Sequence, residues 1–384
     1  MYSDFTTRLH GRKSKGLYRH RLTLEGPQGT HVSIAGRKYL SFCSNDYLGL
    51  ANHPDLIKAV CEGAIQYGVG AGASHLIIGH HSSHHRLEEV LANFIGFPRA
   101  LLFSSGYMAN AGVVTALVGH GDAVFMDRLN HASLNDAALL SRAKLIRYPH
   151  LDLAVLEQRL AVSQAKCKLV ITDTVFSMDG DIAPVAKLLA LCEKYSAWLL
   201  LDDAHGFGIL GQQGRGVVSH FNISSPRIIY MATLGKAAGV SGAFVAGQEE
   251  IIEILVQYAR SYIYTTAMPP LLAQAALKSL VLIEQEEWRR KNLVQLTERL
   301  KRELQSLRWK LLPSVTPIQP VIIGGSGEAL QTSNALRERG FLIPSIRPPT
   351  VPKGAARLRI SLSALHSIED VEQLVTVLRE LEKI

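Results

Sequence analysis

The 384-residue chain predicts an α/β protein, with a large domain built on a mostly parallel sheet and a smaller C-terminal α/β domain. Three observations carry that prediction. From residue 46 to 270, short apolar runs alternate with amphipathic segments, as buried parallel strands joined by helices do. Apolar residues make up 47% of the chain and charged residues 19%, which is enough to fill a large core. From Met268 onward the texture changes to long charged helical patterns separated by a few short strands.

Residues 1–45 read as an N-terminal arm, basic and punctuated by glycine, with a hairpin expected around HVSIAGRKYLSF. Residues 46–270 read as the large, cofactor-binding domain. Its buried strands are expected at ALLFSS (100–105), AVFMD (123–127), KLVITDT (168–174), AWLLLDD (197–203), RIIYMAT (227–233) and GAFVAG (242–247). PVAKLLALCEKY (184–195) reads as a helix with proline in its first turn. Residues 271–384 read as a linking helix and the small domain. One long helix is expected over 269–307, then a strand at PIQPVIIGG (317–325) and a helix over 327–339 stopped by Gly340. Strands follow at FLIPSI (341–346) and ARLRISLSA (356–364). Ser367, with Asp370 three residues on, opens a last helix as a variant capping box.

Composition narrows the function. No window offers about 18 uninterrupted apolar residues, so no membrane span is expected. The N-terminus is basic but lacks the apolar centre of a secretory signal, so the cytoplasm is expected, with a mitochondrial presequence left open by composition. The net charge of +8 suits anionic ligands: a phosphorylated cofactor, a carboxylate or an acidic carrier. Nucleic acid is not an expected partner, because no recognisable motif follows the basic run 8–21. Cys43, Cys61, Cys167 and Cys192 form no CxxC pair and are expected to be buried free thiols.

Ligands of such folds gather at the carboxyl ends of strands, so the polar residues there are the candidates for chemistry. Lys236, in YMATLGKAAGVSGAFVAG, is either a surface-loop lysine or an amine of lowered pKa that forms a Schiff base. Asp202 ends the strand AWLLLDD, where a carboxylate could keep a pyridine nitrogen protonated, or could belong to a turn capped by Asp203. His205 lies three residues on. Ser105, Gly106 and Tyr107 open a helix whose N–H groups could face an anion. Ser177 and Thr233 are hydroxyls near strand ends or simple turn formers. His131 could stack on a flat cofactor, shuttle protons or be structural. In GHHSSHHRLEE (79–89), His80/His84 and His81/His85 have the spacing of a zinc-binding helix. With no third ligand at a recognised spacing, they are expected to be solvated, and no metal is expected.

Eight stretches together resemble the α-oxoamine synthases, pyridoxal-phosphate enzymes of fold type I: SNDYLGL (44–50), SSGYMAN (104–110), DRLNHASL (127–134), VFSMDGD (175–181), DDAHGFG (202–208), TLGKAAG (233–239), YTTAMPP (264–270) and RPPTVP (347–352). The resemblance implies that Lys236 carries pyridoxal 5'-phosphate. Gly106, Tyr107 and Thr233 would hold the cofactor near its phosphate, with His131 stacked on its ring. Ser177 and His205 would bond near the ring hydroxyl, and Asp202 would pair with the ring nitrogen. Thr266 would reach the phosphate in the other subunit of a homodimer. Lys236, His131 and Asp202 would be catalytic. Arg359, assisted by Asn45, would anchor a substrate carboxylate, and Arg19 and Thr350 would contact the acyl substrate.

Within that family, SIRPPTVPKGAARLRISLSALH (345–366) is similar to the branch that condenses L-alanine with a pimeloyl thioester, losing carbon dioxide, in biotin synthesis. The donor would be coenzyme A or an acyl carrier protein. The alternative is the sister reaction of glycine with an acetyl thioester to 2-amino-3-ketobutyrate. His75 and Leu76 depart from the small or polar residues expected there, which bears on acyl contacts.

Overall fold

The computed structural model describes residues 2–383. A seven-stranded mixed sheet forms its centre, running spatially as Arg99–Phe103, Ala243–Gly247, Ile228–Thr233, Trp198–Asp202, Lys168–Asp173, Ala123–Asp127 and Lys144–Tyr148. The last five are mutually parallel, and Ala243–Gly247 runs antiparallel to both its neighbours. Six of the seven coincide within a residue or two with the apolar runs of the sequence. Continuous apolar runs are what helices on both faces of a sheet demand. The seventh, KLIRY, is the edge strand, and its mixed exposure explains why no uninterrupted run announced it.

Parallel register places the strand ends together. Asp173 and Asp202 are direct partners at the carboxyl ends of adjacent strands. The next residue, Asp203, points the other way, as strand alternation requires. It is fully buried and accepts bonds from Tyr230 Oη at 2.7 Å and Val217 N–H at 2.8 Å, and from the Thr174 hydroxyl. Gly216, at φ +78°, presses against that carboxylate, and a Cβ there would collide with both Asp203 and Tyr230. Asp203 is therefore an anchor of the turn beneath the site, while Asp202 faces the site.

The C-terminal part carries a four-stranded antiparallel sheet in the order Lys310–Leu311, Ile318–Gly324, Ala356–Ser361 and Ser345–Ile346. The expected strand FLIPSI is two strands. Phe341–Leu342 pairs with the hairpin His31–Ile34/Arg37–Ser41, whereas Ser345–Ile346 joins the four-stranded sheet. Pro344, which lacks an N–H, separates them.

The single helix expected over 269–307 is also two, Pro270–Gln285 and Glu287–Leu304. No glycine or proline marks the break. Glu286 leaves the helical region (ψ 61°), its carboxylate accepts from Arg289 Nε at 2.6 Å, and Arg289 also donates to the Leu48 carbonyl at 2.7 Å. A tertiary partner sets the break. The final helix, Ile368–Leu381, opens with the expected capping box of Ser367 and Asp370.

The arm opens with a helix, Tyr2–Ser14, ahead of the expected hairpin. The expectation of four buried thiols fails. The cysteines are free, but Cys43 and Cys61 are exposed and only Cys192 is fully buried. Among the described residues, no helix is long and apolar enough to cross a membrane.

Candidate active site

A cavity of about 200 Å³ opens at the carboxyl ends of the central strands. Gly106, Tyr107, His131, Ser177, Asp202, His205, Thr233 and Lys236 all line it, so eight of the residues singled out in the sequence converge on one space. Each arrives from a strand end. Gly106 and Tyr107 start the helix Gly106–Leu117, which follows strand Arg99–Phe103 and is capped by the Ser105 hydroxyl. His131 caps the helix Ala132–Leu140 after strand Ala123–Asp127. Thr233 ends its strand, and Lys236 sits in the tight turn before the next.

Lys236 is partly exposed as a residue, but its amine is enclosed. Nζ lies 2.9 Å from His205 Nε2, and His205 Nδ1 lies 2.7 Å from Tyr47 Oη. Desolvation pulls the Lys236 pKa down to about 8, with Arg359 adding to the drop and Asp202 and Asp173 opposing it. Desolvation, then the Lys236 and Arg359 cations, hold the pKa of His205 well below its usual value, so its ring is neutral. The network assigns the tautomer: Nε2 accepts from the lysine, Nδ1–H donates to Tyr47, and Tyr47 O–H donates to Asn45 Oδ1 at 3.2 Å.

Asp202 is buried and firmly oriented. Its Oδ2 accepts from Asn110 Nδ2 at 2.8 Å, and its Oδ1 from Ala204 N–H at 3.1 Å. Asn110 also donates to Ser133 Oγ at 2.9 Å, and Ser133 Oγ lies 2.8 Å from His131 Nδ1. One amide thereby fixes both the carboxylate and the imidazole. Neighbouring Asp173 is fully buried, and desolvation followed by the Asp202 charge raises its pKa well above the usual range. Asp173 Oδ2 accepts the His131 N–H at 2.9 Å.

Arg359 is 5% exposed, and no carboxylate among the described residues pairs with it. Its Nε donates to the Ser177 carbonyl at 2.6 Å, and both terminal nitrogens lie 3.3 Å from Asn45 Oδ1. A buried guanidinium held only by neutral oxygens is a ready seat for an anion. Asn45 lines a second cavity of about 500 Å³, together with Leu22, Leu24, Cys43 and Leu342, and Lys236 lines both cavities.

Thr266, Arg19 and Thr350 are not among the residues lining either cavity, and all three are exposed. His75 and Leu76 also stand apart. His75 stacks on Tyr262 at 5.0 Å. Asn110, Ser133, Asp173 and Tyr47 are the site residues that the sequence did not single out. Asp173 alone carried a signal, as a second carboxylate at the tip of an apolar strand.

The residues present fit a phosphorylated pyridine. Gly106 leaves the gap toward Thr233 open: a Cβ there would meet Thr233 Cβ only at 3.9 Å. The helix start at Gly106 supplies N–H groups and a dipole on one side of that gap. Asp202 supplies a fixed carboxylate at the far side, and Asn110 Oδ1, buried without a partner, leaves an acceptor beside it.

Residues 37–378 match the model of the aminotransferase class I and II family. The chain is 70% identical to an 8-amino-7-oxononanoate synthase of Nitrosospira multiformis, over 98% of this chain and 95% of the relative. Among solved structures it is similar to the 8-amino-7-oxononanoate synthase of Francisella tularensis (33% identity, TM-score 0.78, 90% of this chain and 97% of that one). It is also similar to a serine palmitoyltransferase solved with its pyridoxal-phosphate internal aldimine (27% identity, TM-score 0.92, 100% of this chain and 97% of that one).

Proposed function

Because the chain belongs to the aminotransferase class I and II family, on its 8-amino-7-oxononanoate synthase branch with the fold type I architecture, we propose that it condenses L-alanine with a pimeloyl thioester to give 8-amino-7-oxononanoate, the acyl-transfer step of biotin synthesis. The observation that carries this reading is Lys236, an amine of lowered pKa shared by both cavities, with Arg359, buried and acid-free, bonded to Ser177 on the wall of the first cavity and to Asn45 on the wall of the second.

Pyridoxal 5'-phosphate, when bound, supplies an electron sink for negative charge at the amino-acid Cα. Gly106, Tyr107 and Thr233 would hold its phosphate, His131 would lie on its ring, Ser177 and His205 would bond near its hydroxyl, and Asp202 would pair with its ring nitrogen. Thr233 must turn to do so, since its hydroxyl donates to the Gly242 carbonyl at 2.9 Å.

Arg359, with Asn45, holds the alanine carboxylate and so fixes which Cα bond faces Lys236. Lys236 Nζ, neutral in a useful fraction of molecules, takes the Cα proton. His205 accepts a hydrogen bond from that amine and keeps it aimed. The new bond joins alanine Cα to the acyl carbonyl carbon. The C–S bond and the bond from Cα to the carboxylate break, releasing a thiol and carbon dioxide, and Lys236 returns a proton to Cα. The second cavity, with Leu22, Leu24 and Leu342 on its wall, would take the acyl chain, and Arg19 and Thr350, exposed and outside that lining, would contact the acyl substrate as the family resemblance implies.

The remaining roles concern assembly. Residues 46–270 would form the cofactor domain and 271–384 the linking helix and small domain. Ile77 and Ile78, 73% and 80% exposed beside Leu76, are too apolar to face water and support a homodimer. Thr266, exposed near Tyr264, would then reach the partner's cofactor. The exposed cations Arg8, Arg12, Lys13 and Lys15 suit either coenzyme A or an acidic acyl carrier protein as donor, in the cytoplasm.

Presenting the purified holoenzyme with alanine plus pimeloyl-coenzyme A, and separately glycine plus acetyl-coenzyme A, tests the reading. Thiol release and product mass are followed. The first pair is expected to turn over at least tenfold faster; the reverse order would replace this reading with the glycine acyltransferase one.

A further inference from the structure

The histidine run 80–85 does not form a solvated helix face. His84 is completely buried at the start of helix Ser82–Ile95. Its Nδ1 accepts the His81 N–H at 3.1 Å, and its Nε2 lies 2.9 Å from the Met268 carbonyl. With both nitrogens engaged, His84 is structural, and the i, i+4 pair His80/His84 cannot grip a metal. A different set remains. His80, His85 and Glu88 each bring a ligand atom within 4.8 Å of the other two. His80 Nε2 is 3.9 Å from Glu88 Oε2. The side chains border a cavity of about 390 Å³ that shares no lining residue with the cofactor cavity.

We propose that His80, His85 and Glu88 form a binding site for a zinc-class divalent cation, with the cavity side left open for water or a small ligand. Two imidazoles and a carboxylate are the donors that a borderline cation such as Zn²⁺ takes. The partners behind them are already in place. Glu88 Oε1 accepts the Leu102 N–H at 2.9 Å, which orients the carboxylate and leaves Oε2 free. His80 Nδ1 lies 2.9 Å from His75 Nδ1, and His75 is fixed by its stack on Tyr262. One of the two facing Nδ1 atoms carries the bridging proton, and the ion would select the tautomer in which His80 Nδ1–H donates to His75 and Nε2 keeps its lone pair toward Glu88. Bonding of the non-ligating nitrogen is the usual support for a metal-bound histidine.

Tetrahedral zinc with ligands at about 2.0–2.2 Å sets its donor atoms roughly 3.3–3.5 Å apart, so the triad must contract by about an ångström. His85, exposed on the helix surface with its Nε2 3.6 Å from Glu89 Oε1, would leave that contact to make the movement. The spacing is H-x4-H-x2-E, unlike the i, i+4 pair of a zinc-binding helix, because His80 precedes the helix and His85 and Glu88 lie on it. The bound ion would tie the turn His75–Gly79 to helix Ser82–Ile95 through His80.

The test uses the holoenzyme, stripped of adventitious metal with a chelator. Zinc is titrated against a chromophoric competitor, with thermal unfolding measured in parallel. One zinc per chain with a micromolar or tighter Kd is expected, with a raised Tm. His85→Ala and Glu88→Gln should each weaken binding at least tenfold while the cofactor absorption and condensation rate stay as in the parent. Cys43→Ser/Cys61→Ser, which removes the two exposed thiols, should bind as the parent does. No zinc binding at tens of micromolar overturns the proposal. So does equal binding by the parent and His85→Ala, or loss in the double cysteine variant alone.

Discussion

In the chain freed of cofactor, the amine of Lys236 should titrate near pH 8. The shift arises chiefly from desolvation, with Arg359 lowering the value further and Asp202 and Asp173 raising it. At pH 7.5 a pKa of about 8 leaves about a quarter of the amines neutral, against roughly one in a thousand for an ordinary lysine near 10.4, a gain of about 200-fold. Trace labelling of the cofactor-free protein with an amine-reactive reagent from pH 6.5 to 10, read by peptide mass spectrometry against a free lysine peptide, gives the midpoint directly. The signs of the neighbours can be tested separately. Asp202→Asn removes the larger raising charge and should move the midpoint below that of the parent, whereas Arg359→Gln should move it up. A parent midpoint above about 9.5, or a rise in Asp202→Asn, would refute the electrostatic reasoning.

Arg359→Gln should raise the KM for alanine by about 10–150-fold, the range of charge-assisted hydrogen bonds worth roughly 1.5–3 kcal/mol, and steady-state kinetics with intact cofactor absorption checks this. Asp202→Ala should cost more than about a hundredfold in kcat/KM, and Asn110→Ala roughly tenfold to a hundredfold through the misplaced carboxylate. A loss under threefold in Asn110→Ala would detach that amide from the reaction. His150 bridges Asp127 at 3.0 Å and Asp181 at 2.8 Å, and those bonds outweigh its desolvation and lift its pKa to about 10. Its contribution is therefore fully present below about pH 6.5 and lost as pH rises through about 10, so the Tm deficit of His150→Gln should be largest at pH 6 and shrink toward pH 10. Ile77→Asp/Ile78→Asp should shift the protein to monomer in analytical ultracentrifugation and abolish turnover; a fully active dimer would remove the assembly argument.

The core of the large sheet was legible because buried parallel strands must be apolar at every position, and AVFMD or AWLLLDD can do little else. The site was legible in part because strand ends gather ligands, so Lys236, Asp202, Thr233 and His131 were marked by position before any contact was known. What escaped was set by partners distant in sequence. The break at Glu286 depends on Arg289 and on the Leu48 carbonyl. The role of Asn110 appears only when Asp202, 92 residues away, lies beside it. His84 looked like a surface histidine because its partner, the Met268 carbonyl, lies 184 residues on.

Arg359 is held by Ser177 from a loop of the large sheet and by Asn45 from the segment after the hairpin, while its own strand belongs to the four-stranded sheet. If it grips the substrate carboxylate as proposed, recognition and mechanical cohesion rest on the same cation. Selection for a new amino acid then has little freedom at that end, because loosening the grip also loosens the joint between the sheets. Drift in preference between alanine and its smaller or larger analogues has to come from the walls around the side-chain methyl instead.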